Sequence, residues 1–374
     1  MSNGFVAKPY IAAISPYVAG KPIEETAREY GLDVQSIVKL ASNENPLGMP
    51  ESARKAVAEA AAGLSRYPDG NARVFREAVA RHLGVASDWV IAGNGSDEIL
   101  GLIARTVLSP ETSCVYSQYS FSVYELSAQE NGARCVVVPT KHFAVDLEAM
   151  AAAVDETTRL VFITNPNNPT GLATTEAEID AFLRKIPGDC VVVLDEAYCH
   201  YLPPELRTDA LKWVRRYPNV LVTRTFSKAY GLAGLRAGYA VAQSALIEMM
   251  NRIRPPFNMN VLAQAAAAAA LEDEAFLRTV YEMNRAGVKL LEDYFRDQRI
   301  EFLPTTANFL LVRTGPETAA INTELLKRGV IVRPVLSYGL PDWLRISIGT
   351  EKELQTFMQA FDDVRAALHL TYPL

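Results

Sequence analysis

Two stretches decide the fold: RLVFITNPNNPTG, Arg159 to Gly171, and CVVVLDEAY, Cys190 to Tyr198. Each opens on an unbroken apolar run. A strand with one wet face would alternate apolar and polar residues; an unbroken run suits a strand covered on both faces, as in a parallel sheet. Each run then gives way at once to a polar cluster. The same grammar recurs outward from these two stretches, in CVYS from Cys114, RCVVVP from Arg134 and VLVTRTF from Val220. Segments of helical composition lie between them, at 121–131, 146–153, 175–185 and 209–216. Three more precede them, at 51–63, 71–84 and 96–108, the last opening on Ser96 and two acids. This βα series predicts an α/β architecture with a large, doubly wound, mostly parallel sheet.

The pattern changes after about Ala242. Residues 243–254 read as a helix stopped by Pro255-Pro256, and a long helical stretch follows over 261–298. FLPTTANFLLVR, GVIVRP and WLRISIGT then read as strands around a helix at 316–328, and a last helix covers 351–368. A chain of 374 residues exceeds what one core usually serves, so two domains are expected. Their expected bounds are 36–265 for the larger, and 1–35 with 266–374 for a smaller α+β domain.

Composition narrows the partners. A net charge of −6 offers no positive excess for phosphate backbones, so a nucleic-acid partner is not expected. No run of about 18 apolar residues suggests a membrane span, and Met1 to Tyr10 lacks the pattern of a secretory leader. Cys114, Cys135, Cys190 and Cys199 form no C-x-x-C pair, which fits a reduced, cytoplasmic chain. His82, His142, His200 and His369 lack metal-ligand spacing, so no metal is expected.

In open parallel sheets, function gathers beyond the carboxyl ends of the strands, and four polar clusters fall there. GNGSDE, Gly93 to Glu98, opens a helix whose first amides suit a phosphate, although an ordinary capped helix would read the same way. It is neither a dinucleotide fingerprint nor a nucleophile elbow. NPNNPTG is either a bare turn or a loop that aims Asn167 or Asn168 at a ligand oxygen. Asp195, directly after VVVL, is costly to bury without a partner, unless it merely caps the next segment. Lys228 lies between TRTF and AYGLAGL, where a solvated lysine fits poorly and a desolvated amine can act as nucleophile or base. Ser227 and Arg236 could hold a phosphate. Together the clusters describe a ligand with a phosphate, a protonated ring nitrogen opposite an aspartate, a ring oxygen and an aldehyde. Pyridoxal 5′-phosphate has these groups.

NPNNPTG, LDEAY and TFSKAYGLAGLRAGY resemble the motifs of fold-type I pyridoxal-phosphate aminotransferases. SPYVAGKP, ASNENPLG, SRYPDG, GNGSDEI and LRISIGT are similar, within that class, to the histidinol-phosphate aminotransferase family. The resemblance implies that Lys228 condenses with the cofactor aldehyde, that Asp195 pairs with the ring nitrogen, and that Asn168 and Tyr198 bind the ring oxygen. It further implies that Tyr119 stacks on the ring and that Ser96, Asp97, Ser227 and Arg236 hold the phosphate. Tyr67 would reach the cofactor of the partner subunit in a homodimer. Arg333 and Arg345 would bind the anionic end of the substrate, with Tyr17 and Asn45 beside it. The implied reaction moves an amino group from histidinol phosphate to a 2-oxo acid, 2-oxoglutarate, in histidine biosynthesis. An arginine suits a carboxylate as well as a phosphate. An aromatic amino-acid aminotransferase and a threonine-phosphate decarboxylase-like enzyme therefore stay open, as does a catalytically silent cofactor-binding module.

Overall fold

The computed structural model describes residues 7–17 and 20–370; Val18 and Ala19 of the SPYVAGKP motif lie outside them. In chain order its strands are β1 (Val38–Lys39), β2 (Val90–Asn94), β3 (Ser113–Ser117), β4 (Arg134–Val138), β5 (Thr158–Thr164), β6 (Val191–Asp195), β7 (Val220–Thr225) and β8 (Ala237–Val241). The remaining strands are β9 (Phe302–Leu303), β10 (Phe309–Arg313), β11 (Val330–Ile331), β12 (Arg333–Pro334) and β13 (Trp343–Ser347).

Strands β2 to β8 form one sheet in the order β2-β8-β7-β6-β5-β3-β4. Five of its members, from β7 through β6, β5 and β3 to β4, pair in parallel. Only β8 runs against its neighbours, β2 and β7, and the sequence reading did not single it out as a strand. The unbroken apolar runs have the expected cause. Alternate residues of one strand enter different cores: Val161 and Ile163 pack on one face, Leu160 and Phe162 on the other. Both faces are buried, so neither parity can be polar.

The C-terminal part builds a four-stranded sheet, β12-β13-β10-β9, whose core includes Leu310, Leu344 and Phe357. Two expectations about its border change. The helical stretch 261–298 is two helices, Val261–Ala270 and Glu274–Asp297. The break falls where Asp273 caps the second helix through Phe276 N and accepts a hydrogen bond from Ser52. The first helix buries Ala263, Ala266, Ala267 and Ala270 in the core of the large sheet, so a border at 265 would cut through it. At the other border, β1 pairs in parallel with β11, although the expected start at 36 assigned it to the larger domain. Backbone hydrogen bonds from this segment, not composition, decide where it packs.

Candidate active site

The chain places β2, β5, β6 and β7 so that their carboxyl ends meet along one edge of the large sheet. β8 runs the other way and begins on the same edge, just after Arg236. A cavity of about 660 Å³ opens there. Of the expected residues, Tyr17, Ser96, Asp97, Asn168, Asp195, Tyr198, Ser227, Lys228, Arg236, Arg333 and Arg345 line it.

One end of the cavity is built for an anion. Ser96 opens the helix Ser96–Val107, whose first-turn amides lack helical partners. Gly95 stands before it at φ 85°, and a Cβ there would come within 2.6 Å of Arg236 Nη2. A Cβ at Gly238 would meet the Ser96 amide at 2.4 Å. Glycine is therefore required at both positions if amides and guanidinium are to converge. Arg236 also donates to Ser227 Oγ at 3.3 Å. Burial raises the Asp97 pKa, and the Arg236 charge opposes that rise.

At the centre, Asp195 ends β6 almost fully buried. Its Oδ2 accepts from Tyr124 OH at 2.7 Å, and its Oδ1 accepts from Thr223 Oγ1 and Ala197 N, each at 3.2 Å. Tyr124 is further bonded to Thr164. Burial raises the Asp195 pKa to about 6, against the pull of these donors. These three donors are all neutral, so a cation beside Asp195 would stabilise its charged form further. Lys228 follows β7, and its Nζ donates to Ser42 O at 2.9 Å. Burial lowers its pKa to about 7, with the Arg345 charge as the next cause. Tyr198 lies beside it, with Lys228 Nζ 5.9 Å from the ring centre, and Asn43 Nδ2 donates to Tyr198 OH at 3.0 Å.

The far wall comes from the C-terminal sheet. Arg345 on β13 donates to Asn168 Oδ1 at 2.6 Å and to Ala41 O at 2.9 Å, while its Nε is buried with no hydrogen-bond partner. Arg333 on β12 is its cross-strand neighbour and sits over the Tyr17 ring at 5.9 Å. Tyr338 completes this wall.

Three expected residues lie elsewhere. Tyr119 takes a left-handed backbone, φ 52°, and stacks on Phe143 at 5.7 Å within the Trp343 cluster; Phe121, two residues on, lines the cavity instead. The Asn45 side chain is used up structurally, donating to Ala229 O and accepting from Leu47 N. Asn43 takes the place at the cavity wall. Tyr67 is 82% exposed, stacked on Phe257 outside the cavity. The sequence reading missed Asn43, Phe121, Tyr124 and Thr223. Of these, Asn43 sat in ASNENPLG and Thr223 in VLVTRTF, while Phe121 and Tyr124 fell in the helical segment 121–131 without a signal of their own.

The donor set fits pyridoxal 5′-phosphate on its chemistry. It offers an anion cradle, a buried carboxylate lacking a cation, hydroxyl and amide groups for a ring oxygen, and an amine neutral enough to attack an aldehyde.

Comparison with known proteins gives the family. A model of the family described as aminotransferase class I and II matches residues 35–361. A histidinol-phosphate aminotransferase 1 of Cupriavidus pinatubonensis is 56% identical, over 94% of this chain and 95% of that one. A histidinol-phosphate aminotransferase 2 of Ralstonia nicotianae is 53% identical, over 96% of both. Among solved structures, the histidinol-phosphate aminotransferase of Sinorhizobium meliloti in complex with pyridoxal 5′-phosphate superposes with a TM-score of 0.87. It is 30% identical over 97% of this chain and 98% of that one.

Proposed function

The chain belongs to the class I and II aminotransferases, and from that premise we propose that it is a pyridoxal-phosphate-dependent histidinol-phosphate aminotransferase of histidine biosynthesis. It moves the amino group of histidinol phosphate to 2-oxoglutarate. Relatives of that name, at 44–56% identity over nearly the whole chain, support this substrate. The observation that carries the reading is the pairing of Arg333 with Arg345 on neighbouring strands, both on the wall facing Lys228. Two guanidinium groups suit a phosphate dianion, and neither belongs to the cradle at Ser96 and Arg236.

In this reading the backbone amides of Ser96 and Asp97, with Ser227 and Arg236, hold the cofactor phosphate. Asp195 faces the ring nitrogen, Asn168 and Tyr198 face the ring oxygen, and Phe121 covers the ring. When bound, pyridoxal phosphate supplies an aldehyde that condenses with amines and a ring that accepts the electrons released at the donor Cα. Asp195 keeps the ring nitrogen protonated, because a buried carboxylate is stabilised most by a cation. Lys228 Nζ, its pKa lowered to about 7 by burial and by the Arg345 charge, takes the proton from the donor Cα. Arg333 and Arg345 fix the far end of the donor, so that Cα lies within reach of that amine. Tyr17, beside Arg333, borders the same end.

The working unit in this proposal is a cytoplasmic homodimer in which Tyr67, exposed in one protomer, reaches toward the cofactor phosphate of the other. Among the described residues no helix is long and apolar enough to cross a membrane. Steady-state rates with histidinol phosphate, phenylalanine and tyrosine as donors, and 2-oxoglutarate as acceptor, test the assignment. Histidinol phosphate is expected to give the highest kcat/KM; a higher value for either aromatic amino acid overturns the substrate assignment.

A further inference from the structure

We propose that Asn43 is a positioning residue that fixes the direction of the Tyr198 proton, through a one-way hydrogen-bond chain anchored in the C-terminal sheet. The inference rests on the reading above, in which Tyr198 faces the ring oxygen.

The chain starts from a group that can only donate. The Asn43 backbone N–H donates to Ser347 Oγ at 2.8 Å. Ser347 Oγ accepts there and gives its own hydrogen to Asn43 Oδ1, which lies 2.9 Å away. The amide oxygen of Asn43 is thus turned toward Ser347, and its NH₂ must point the other way. That group lies 3.0 Å from Tyr198 OH. An amide N–H cannot accept, so the phenol oxygen is the acceptor, and the Tyr198 hydrogen is directed to another partner. Tyr198 lines the cavity, and its hydrogen is left for a ligand oxygen there.

The anchor is rigid. Asn43, Ser347 and Asn308 are each at most 3% exposed, and Asn308 Nδ2 donates to Asn43 O at 2.9 Å. Asn43 stands at φ 55°, a region that asparagine tolerates better than other residues with a side chain. Its type is therefore constrained twice, by backbone and by amide. Ser347 is on β13, two residues beyond Arg345, and Asn308 immediately precedes β10. The sheet that supplies Arg345 thus also sets the proton direction at Tyr198.

The test titrates the visible absorption band of the enzyme reconstituted with pyridoxal phosphate, across pH. The forms compared are wild type, Tyr198→Phe, Asn43→Asp and the double variant. A phenol that donates to the ring oxygen favours the anionic form of that oxygen, so losing the donation moves the midpoint upward. Tyr198→Phe is expected to raise it by about 1 pH unit or more. Asn43→Asp should give a similar rise, because a carboxylate accepts the Tyr198 hydrogen and withdraws it from the cavity. In the double variant the two rises should not add. Arg345, Lys228, Tyr338 and Asp195 also face Tyr198 and are unchanged in all these variants. If Asn43→Asp does not fold, Asn43→Gly keeps the left-handed backbone. It should give a smaller rise that disappears in the Tyr198→Phe background. An unmoved midpoint in the Asn43 variants, or rises that add fully, overturns the chain. Failure of the underlying reading looks different: wild type itself would then lack a visible band that Lys228→Ala removes.

Discussion

Asp195 and Glu196 are consecutive buried carboxylates at the carboxyl end of β6, and the two sides of that strand end treat them in opposite ways. Glu196 meets Arg224: Nη2 lies 2.7 Å and Nε 2.8 Å from its Oε2, in a closed ion pair. Asp195 accepts from neutral donors alone, and Lys228 on the same cavity feels the like charge of Arg345. A buried charge left without its counter-ion costs free energy that folding alone would not retain. In the proposed function, the difference separates a carboxylate that holds the fold together from one held ready for a ligand.

Substitutions can break this contrast. Lys228→Ala is expected to cut transamination by about 10⁴-fold or more, while the cofactor-free protein melts no lower than wild type. A drop in its melting temperature would show that the lysine stabilises the fold, and the contrast would fail. On the other side, Glu196→Gln leaves Arg224 buried and unpaired, and should cost about 3–5 kcal/mol in denaturant unfolding. Its kcat per folded molecule should stay within a few-fold of wild type. A large loss of kcat at unchanged stability would place Glu196 in the chemistry instead.

A pH series sharpens the same point. Lys228 titrates near 7 in the folded protein, below its ordinary range, chiefly through burial and next through Arg345. In the cofactor-free enzyme, reductive trapping of an aldehyde at this amine should rise through pH 7, far below the range of exposed lysines. Arg345→Gln removes a repelling charge and should move that midpoint upward. Between pH 7 and the ordinary lysine range the unfolded chain binds the extra proton, so this group's contribution to stability improves as pH rises there. Denaturant midpoints of wild type and Lys228→Met across that window measure the effect.

The smallest expected effect separates two aromatic residues. Phe121→Ala should weaken pyridoxal phosphate binding about 3- to 10-fold through lost stacking, and Tyr119→Ala should leave it nearly unchanged. Fluorescence titration of the cofactor-free protein distinguishes them; the reverse order would restore Tyr119 to the ring face.

The parts of the site carried by short motifs at strand ends were legible in the sequence. Lys228, Asp195, Ser96 and Arg236 each follow or precede an apolar run, and a parallel sheet covered on both faces must bring such ends to one edge. The choice between near neighbours was not legible. Asn43 and Asn45 share one motif, and Phe121 stands two residues after Tyr119. A left-handed residue at 43 and another at 119 decide which side chain reaches the cavity. Tyr124 gave no signal, because it sits on the helix Val123–Gln129 and its partners Thr164 and Asp195 come from β5 and β6.

By itself, then, the sequence determined the parallel part of the sheet, its edge and most of the side chains that line the cavity there, because strand periodicity and turn chemistry act over a few residues. Tertiary structure alone decided that β13 would bring Arg345 and Ser347 to Asn168 and Asn43, at sequence separations of 177 and 304 residues. It also decided which of two adjacent carboxylates would be neutralised. Counter-charges and desolvation depend on distance in space, and no local pattern encodes that distance.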